Sequence, residues 1–400
     1  MKLSEIAEIN PRREVLEDKD TVSFIAMEDI TNNGRVINKT DKLYEEVKKG
    51  YTPFKDNDVL LAKITPCFEN GKRALVGKLS NGIGFGSTEF HVLRANKESI
   101  SKFLYYVISS HRFMSKAENN MTGSAGQKRV PTEFIKDYVL AVPTIKEQEK
   151  IASILSTIDE QIDNVDALIE KNKELKKGLM QTLLTKGIGH TKFKKTEIGE
   201  IPEEWHWGKL SNYVELKHGY QFRKEDFTDC GVPIVKISQI SMRGKLELKD
   251  LTYISSNREN DFKDIIIKNG DILLALSGAT VGKVALVKDL NGIYLQNYRV
   301  GKLICNDSLV NEYVFHYINS EIFYEQLMKL TNTSAQPNFG KQDMDKILIT
   351  VPSKKEQQKI ASILSKVDEK IDMYENKKQK LEELKKGLMQ QLLTGKIRVI

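Results

Sequence analysis

Apolar residues recur every three or four positions through two long stretches of the chain, and no proline interrupts either stripe. The first runs through Ile151, Leu155, Ile158, Ile162, Val165 and Ile169, then Leu175, Leu179 and Leu183. The second runs through Ile360, Leu364, Val367, Ile371 and Tyr374, then Leu381, Leu384, Leu388 and Leu392. The spacing predicts two helices of roughly 40 residues, rods on the order of 60 Å long at about 1.5 Å per residue. A narrow stripe on so long a rod predicts a coiled coil. Its expected seam is Ile151, Leu155, Ile158, Ile162, Val165 and Leu179 on one helix, with Ile360, Leu364, Val367, Ile371, Leu381 and Leu388 on the other. Each stretch opens with Val-Pro and a capping box, Thr144 with Glu147 and Ser353 with Glu356. In such a box the hydroxyl accepts from the third helical N–H and the carboxylate reaches back to the cap N–H. Asn172 lies on the first stripe where the second has Leu381, and Lys378 aligns with Ile169. Polar positions of this kind either favour one pairing register or mark helix ends drifting to solvent.

The two stripes are copies. ELKKGLMQ at Glu174–Gln181 returns unchanged at Glu383–Gln390, 209 positions later. At that offset Val142–Gly187 lies over Val351–Lys396 without a gap, with 28 identities in 46 positions. A period this long is a duplication of a whole unit rather than a solenoid or propeller repeat. The flanking sequence echoes more faintly. DVLLA at Asp58–Ala62 answers DILLA at Asp271–Ala275, and GKRALV at Gly71–Val76 answers GKVALV at Gly282–Val287. FLYYVISS at Phe103–Ser110 answers YVFHYINS at Tyr313–Ser320, and GSAGQ at Gly123–Gln127 answers TSAQ at Thr333–Gln336. Short β-rich runs alternate with turns and helical patterns come later in each unit, which predicts an α+β fold with twisted sheets. The expected layout is a globular unit (1–142), a long helix (143–187), a linker with a second globular unit (188–350) and a second long helix (351–400). Rods that match and globular units that differ point to one scaffold carrying two unlike readers.

Composition changes this picture little. A length of 400 residues suits two to four domains, and a net charge of +7 permits a nucleic-acid partner without requiring one. No apolar run reaches the ~18 residues of a membrane helix, so no membrane partner is expected. The start, MKLSEIAEINPRREV, lacks the apolar segment of an export signal. Isolated Cys67, Cys230 and Cys305 suit reduced thiols, and a cytoplasmic protein is expected. Catalytic patterns are not evident. GATVGK at Gly278–Lys283 has the wrong glycine spacing for a phosphate loop and reads as a turn between strands. GIGFGS at Gly82–Ser87 lacks a dinucleotide fingerprint, and no His/Cys cluster has metal-ligand spacing.

ELKKGLMQTLLTKGI and ELKKGLMQQLLTGKI each end a helix that begins with Pro-Thr or Pro-Ser and continues to EQ and KIASILS, and FKKTEIGEIPEEW at Phe193–Trp205 opens the second globular unit. In these segments, and along essentially its whole length, the chain resembles the specificity subunits of type I restriction–modification systems. The resemblance implies two globular target-recognition domains separated by two long antiparallel coiled-coil helices, a pseudo-twofold internal repeat. It also implies that each domain reads one half of a bipartite double-stranded DNA target, and that the helices dock two methylation subunits. The chain itself is then a non-catalytic subunit without a cofactor. AdoMet belongs to the methylation subunit, and ATP and Mg to a restriction subunit, whose presence the sequence leaves open. The competing reading is a duplicated coiled-coil protein–protein scaffold that does not bind DNA.

No residue code for the bases follows from the resemblance. Chemistry alone favours Gln, Asn and Arg in turn-like segments for base edges and Lys for phosphates. The candidates are Lys63, Lys72 and Arg73; Ser124, Gln127, Lys128 and Arg129; Lys283; Gln296, Asn297 and Arg299; and Ser334, Gln336, Asn338 and Lys341. No metal ligands are expected.

Overall fold

The structure, a computed structural model, describes the whole chain except Ala125, residues 332–337 and Ile400. The chain divides into two compact units, Met1–Ala167 with Glu375–Ile400, and Leu168–Tyr374. Four helices carry the argument: α1 (Ser101–Ser109), α2 (Ile145–Leu183), α3 (Asn311–Ile318) and α4 (Lys354–Leu392). Each unit thus holds one globular part, half of α2 and half of α4.

The globular parts share the topology of their first sheet. In the first, an antiparallel sheet has the order Ala7–Ile9, Phe90–Ala95, Val59–Ala62, Arg73–Leu75. In the second the order is Val214–His218, Val300–Cys305, Ile272–Ala275, Val284–Leu286. The central VLLA and ILLA strands are buried at every position, which explains their unbroken apolar runs. Each part has a second four-stranded sheet with one parallel pairing, Thr21–Ile25 on Ile83–Gly86 and Val232–Val235 on Leu295–Gln296. The echoes DVLLA with DILLA and GKRALV with GKVALV are therefore equivalent strands, FLYYVISS and YVFHYINS lie on α1 and α3, and TSAQ lies outside the described residues. GATVGK is the turn that joins strands 272–275 and 284–286, as its spacing suggests.

Helices α2 and α4 run as two uninterrupted rods of 39 residues each and pair antiparallel. In the first unit Asp159 meets Lys385 at 2.6 Å and Asp166 meets Lys378 at 2.7 Å, so one helix retreats as the other advances. In the second unit Lys176 meets Asp368 at 2.6 Å, and Met180, Leu183 and Leu184 share a core with Ile360 and Leu364. The seam residues Ile151, Leu155, Ile158, Val165, Ile360 and Leu364 are buried. Ile162, Leu179, Val367, Ile371, Leu381 and Leu388 are partly covered. Asn172 is buried on the seam, where its amide donates to Leu168 O at 2.7 Å, so it does not drift to solvent. Leu175 and Leu384, by contrast, are each 51% exposed and lie off the seam.

The capping boxes form only by half. The hydroxyls of Thr144 and Ser353 accept from the N–H groups of Glu147 and Glu356. The carboxylates do not reach back, because charged and N–H donors from distant segments take them. Glu147 receives the Arg398 guanidinium through two bonds of 2.6 Å, which hold its carboxyl below the usual range. Glu356 accepts from Ile188 N, from Trp205 Nε1 at 3.0 Å, and lies 2.9 Å from His190 Nε2. A charge-assisted bond outcompetes a neutral cap N–H that water can satisfy. The next residue repeats as well. Buried Gln148 bridges Glu98 O, Pro143 O and Ile100 N, and buried Gln357 bridges Ser308 O, Pro352 O and Val310 N.

The short helices α1 and α3 join the sheets to the rods. Tyr106 of α1 donates to Asp159 at 2.7 Å. The equivalent His316 of α3 is fully buried, with Nε2 on Ser365 Oγ at 3.1 Å and Nδ1 4.0 Å from Asp368. Burial pushes the His316 pKa down to about 3, and nearby Lys176 and Lys288 add to the effect. Lys176 also neutralises Asp368, so that carboxylate does not reverse the shift.

Truncating Leu155 or Leu364 to Ala is expected to cost about 2–5 kcal/mol in urea unfolding. The same change at exposed Leu175 or Leu384 should stay within about 0.5 kcal/mol. The unfolded chain takes up the His316 proton near the ordinary 6.5 and the folded chain only near 3. Stability is therefore lost as pH falls between those values, at up to about 1.4 kcal/mol per pH unit for this one group. Comparing urea midpoints of wild type and His316→Gln across that window should show the variant's slope reduced.

Candidate nucleic-acid interface

The clearest grouping of candidate residues lies where the central strand leaves the antiparallel sheet. In the first unit Val59–Ala62 ends opposite Phe90, and three segments meet beyond it. Lys63 N donates to Glu89 O, Val130 N donates to Lys63 O, and Thr65 N donates to Lys128 O, each at 2.9 Å. This lacing brings Lys63 beside the loop that carries Ser124, Gln127, Lys128 and Arg129, all four of them exposed. Gly123 and Gly126 supply the positive φ values that the loop needs. Arg129 forks onto Glu89, with Nε–Oε2 3.0 Å and Nη2–Oε1 2.9 Å, and holds that carboxyl below its usual range. Beneath the loop, buried His91 bonds Val130 O through Nε2 at 2.8 Å and lies 3.3 Å from the Asn10 amide. Burial lowers its pKa, so a neutral ring supports the loop.

The second unit builds the same place with other residues. Strand Ile272–Ala275 ends opposite Val300. Leu276 N donates to Arg299 O at 3.0 Å and Phe339 N donates to Leu276 O at 2.8 Å. Arg299 thus stands where the first unit has Glu89, and Asn338, bridged to Ser277, stands where it has Arg129. Arg299 and Asn338 are exposed, and Arg299 Nε donates to Tyr298 Oη at 2.8 Å. Tyr220 N donates to Gln296 O beside it. Tyr220 is 46% exposed, and its ring packs on Phe222 and Phe262 with centroids 5.0 Å apart in each case. Exposed Lys341 starts a short helix just beyond, and Lys283 is half-exposed at the neighbouring turn. Ser334 and Gln336 lie outside the described residues.

Four candidates are placed in the frame rather than at this surface. Gln296 is fully buried, and its amide donates to Lys217 O at 2.8 Å and Val300 O at 2.7 Å. Asn297 is buried and accepts from Arg299 N. Arg73 donates to Ser109 Oγ at 2.5 Å and Gly71 O at 2.7 Å, and burial lowers its pKa. Lys72 donates to Met27 O at 2.7 Å. Residue type named these four, but only packing shows where they point. Sequence reasoning missed Glu89 and Tyr220; the aromatic run in HGYQF was the one signal available for the latter.

Among the described residues no group of three His, Cys, Asp or Glu side chains is placed to hold a metal ion. Among them, too, no helix is long and apolar enough to cross a membrane.

Comparison with known proteins gives a consistent answer. The family described as type I restriction modification DNA specificity domain matches residues 1–176 and again 202–383. The MjaVIII specificity subunit of Methanocaldococcus jannaschii is 32% identical over 349 residues, spanning 86% of this chain and 80% of that one. The EcoAI specificity subunit of Escherichia coli is 28% identical over 457 residues, spanning 92% and 76%. Among solved structures, the type I S subunit from M. genitalium has a TM-score of 0.60 at 16% identity, covering 98% of this chain and 95% of that one. A chain solved in a study of assembly and conformational transition of the type I R-M system has a TM-score of 0.55 at 17% identity, covering 99% and 97%.

Proposed function

The chain belongs to the type I restriction–modification specificity family, and from that premise we propose that its two units read the two halves of a bipartite DNA target. The observation that carries the proposal is the equivalent strand-end site, which has Glu89 and Arg129 in one unit and Arg299 and Asn338 in the other. One frame with unlike donors and acceptors is what reading two unlike half-sites requires. Lys63, Ser124, Gln127, Lys128 and Arg129 serve the first half, and Lys283, Arg299, Asn338 and Lys341 serve the second. Arg, Asn and Gln read base edges while Lys holds phosphates. The readers correspond to residues 1–142 and 188–350, and the spacers to 143–187 and 351–400.

The duplicated ELKKGLMQ segments, with Leu175 and Leu384 equally exposed, present equivalent faces to two methylation subunits. Methyl transfer from AdoMet belongs to those subunits, and ATP- and Mg-dependent steps to a restriction subunit where the system has one. This chain supplies the address.

The test is to map methylated bases in cells carrying the chain and its methylation subunit. Arg129→Ala should relax one half of the methylated sequence, and Arg299→Ala or Asn338→Ala the other half. Each lost base contact is worth about 1–3 kcal/mol of discrimination. Relaxation of both halves by one substitution would overturn the assignment. The purified chain alone should transfer no methyl group to DNA, and transfer should appear when the methylation subunit is added.

A further inference from the structure

One repeated feature lies outside both the reading surface and the helix seam. In each globular part a tight hairpin leaves the second sheet and points at a long helix. In the first, Ile30 bridges Val36, Thr31 N donates to Arg35 O at 2.8 Å, and Ile37 N donates to Asp29 O at 2.8 Å. In the second, Ile240 bridges Leu246, Ser241 N donates to Lys245 O at 3.0 Å, and Glu247 N donates to Gln239 O at 2.8 Å. Both tips carry a glycine at positive φ pressed against a short helix. A Cβ on Gly34 would lie 2.3 Å from Tyr105 Oη, and one on Gly244 would lie 2.6 Å from the Phe315 ring. After each glycine comes a cation that reaches across to a long helix. Arg35 meets Asp163 of α2 at 2.5 Å, and Lys245 meets Asp372 of α4.

These contacts occupy equivalent places, since 163 and 372 differ by the repeat offset of 209. Little of the hairpin sequence is shared: TNNGRV has become SMRGKL. What persists is the glycine, the positive charge after it and the aspartate it meets. All four charged side chains are partly exposed, at 48% and 50% in one pair and 53% and 29% in the other. Exposed pairs of this kind contribute little to stability, too little for folding to account for retaining both. In the first unit, moreover, the tip does not close onto α2 by packing. A cavity of about 970 Å³ is lined by Thr31, Asn32, Asn33 and Arg35 on one side and by Asp159 and Asp163 on the other. A second, of about 370 Å³, lies among Gly34, Arg35, Tyr105, Asp159 and Glu160. The ion pair is a polar strut between two voids.

We propose that Arg35–Asp163 and Lys245–Asp372 are positioning pairs that set the angle of each reading domain on its helices, and thereby the spacing between half-sites that the complex accepts. The inference rests on the reading of function above. None of the four residues belongs to the reading surface or the seam.

The experiment uses the full chain with its methylation subunit and DNA duplexes carrying the mapped target with its native unread spacer, or a spacer one base pair longer or shorter. Asp163→Ala and Asp372→Ala should each fold, with a melting temperature within about 4 °C of wild type. Each should still require both half-sites. Each should lower the preference for the native spacer by about fivefold, the factor equivalent to 1 kcal/mol. The reversed pair Arg35→Asp with Asp163→Arg should restore that preference, whereas either reversal alone should not. Unchanged spacer preference in both aspartate variants would overturn the proposal, as would failure of the folded reversed pair to rescue. If the wild-type complex methylates no bipartite sequence, the reading of function itself falls, and the strut's role with it.

Discussion

One sequence relation underlies the paired rods. Asp159 and Lys176 lie 17 positions apart in the first copy, as Asp368 and Lys385 do in the second. When two such copies pair antiparallel, the aspartate of each meets the lysine of the other, and Asp159–Lys385 and Lys176–Asp368 are that one contact made twice. Both pairs are largely covered, which makes them stronger register marks than surface ion pairs. A one-residue slip would turn every seam residue by about 100° and separate both pairs at once. The duplicated helix is therefore its own complement, and equivalence between the two ends of the scaffold follows without further instruction.

Given that frame, the globular parts are free to diverge where the frame does not depend on them. Backbone lacing at the strand end is the same in both units, through Lys63 and Leu276, while the side chains around it change from Glu89 and Arg129 to Arg299 and Asn338. Replacing an acid by a base at one position would be costly inside a packed core. At an exposed strand end it costs little, because water solvates either charge. A site that can vary in chemistry without unfolding the domain suits the reading role proposed for it.

The rods and the repeat were legible because a 3.6-residue period and an internal copy are properties of the sequence itself. Strand equivalence was visible for the same reason, through DVLLA and DILLA. The site was legible only as a set of residue types. Gln296 and Asn297 looked like base readers, yet the backbone carbonyls and N–H groups around them left no room for exposure. The capping boxes failed on long-range grounds. Glu147 and Glu356 are three residues from their caps, but Arg398 and Trp205, which take those carboxylates, are distant in sequence. Asn172 was legible on the stripe and is buried there with its amide donated to Leu168 O, whereas Leu175, which the apolar spacing also placed on the stripe, is exposed.

The two junctions between globular part and rod show how a duplication can keep a geometry while changing its response to solvent. At the first, Tyr106 donates to Asp159, completing an arrangement in which Lys385 supplies the opposite charge. Burial raises the tyrosine pKa further, so this junction does not titrate near neutrality. At the second, the equivalent ring is His316, and its Nδ1 is buried with no hydrogen-bond partner among the described residues. A neutral imidazole there leaves Asp368 to Lys176, and protonation would add a second cation beside that lysine in a place water does not reach. The second junction therefore depends on keeping a proton off the ring, a requirement the first does not have. Equivalent backbone and equivalent register thus coexist with unequal tolerance of acid, set by one side chain in each copy.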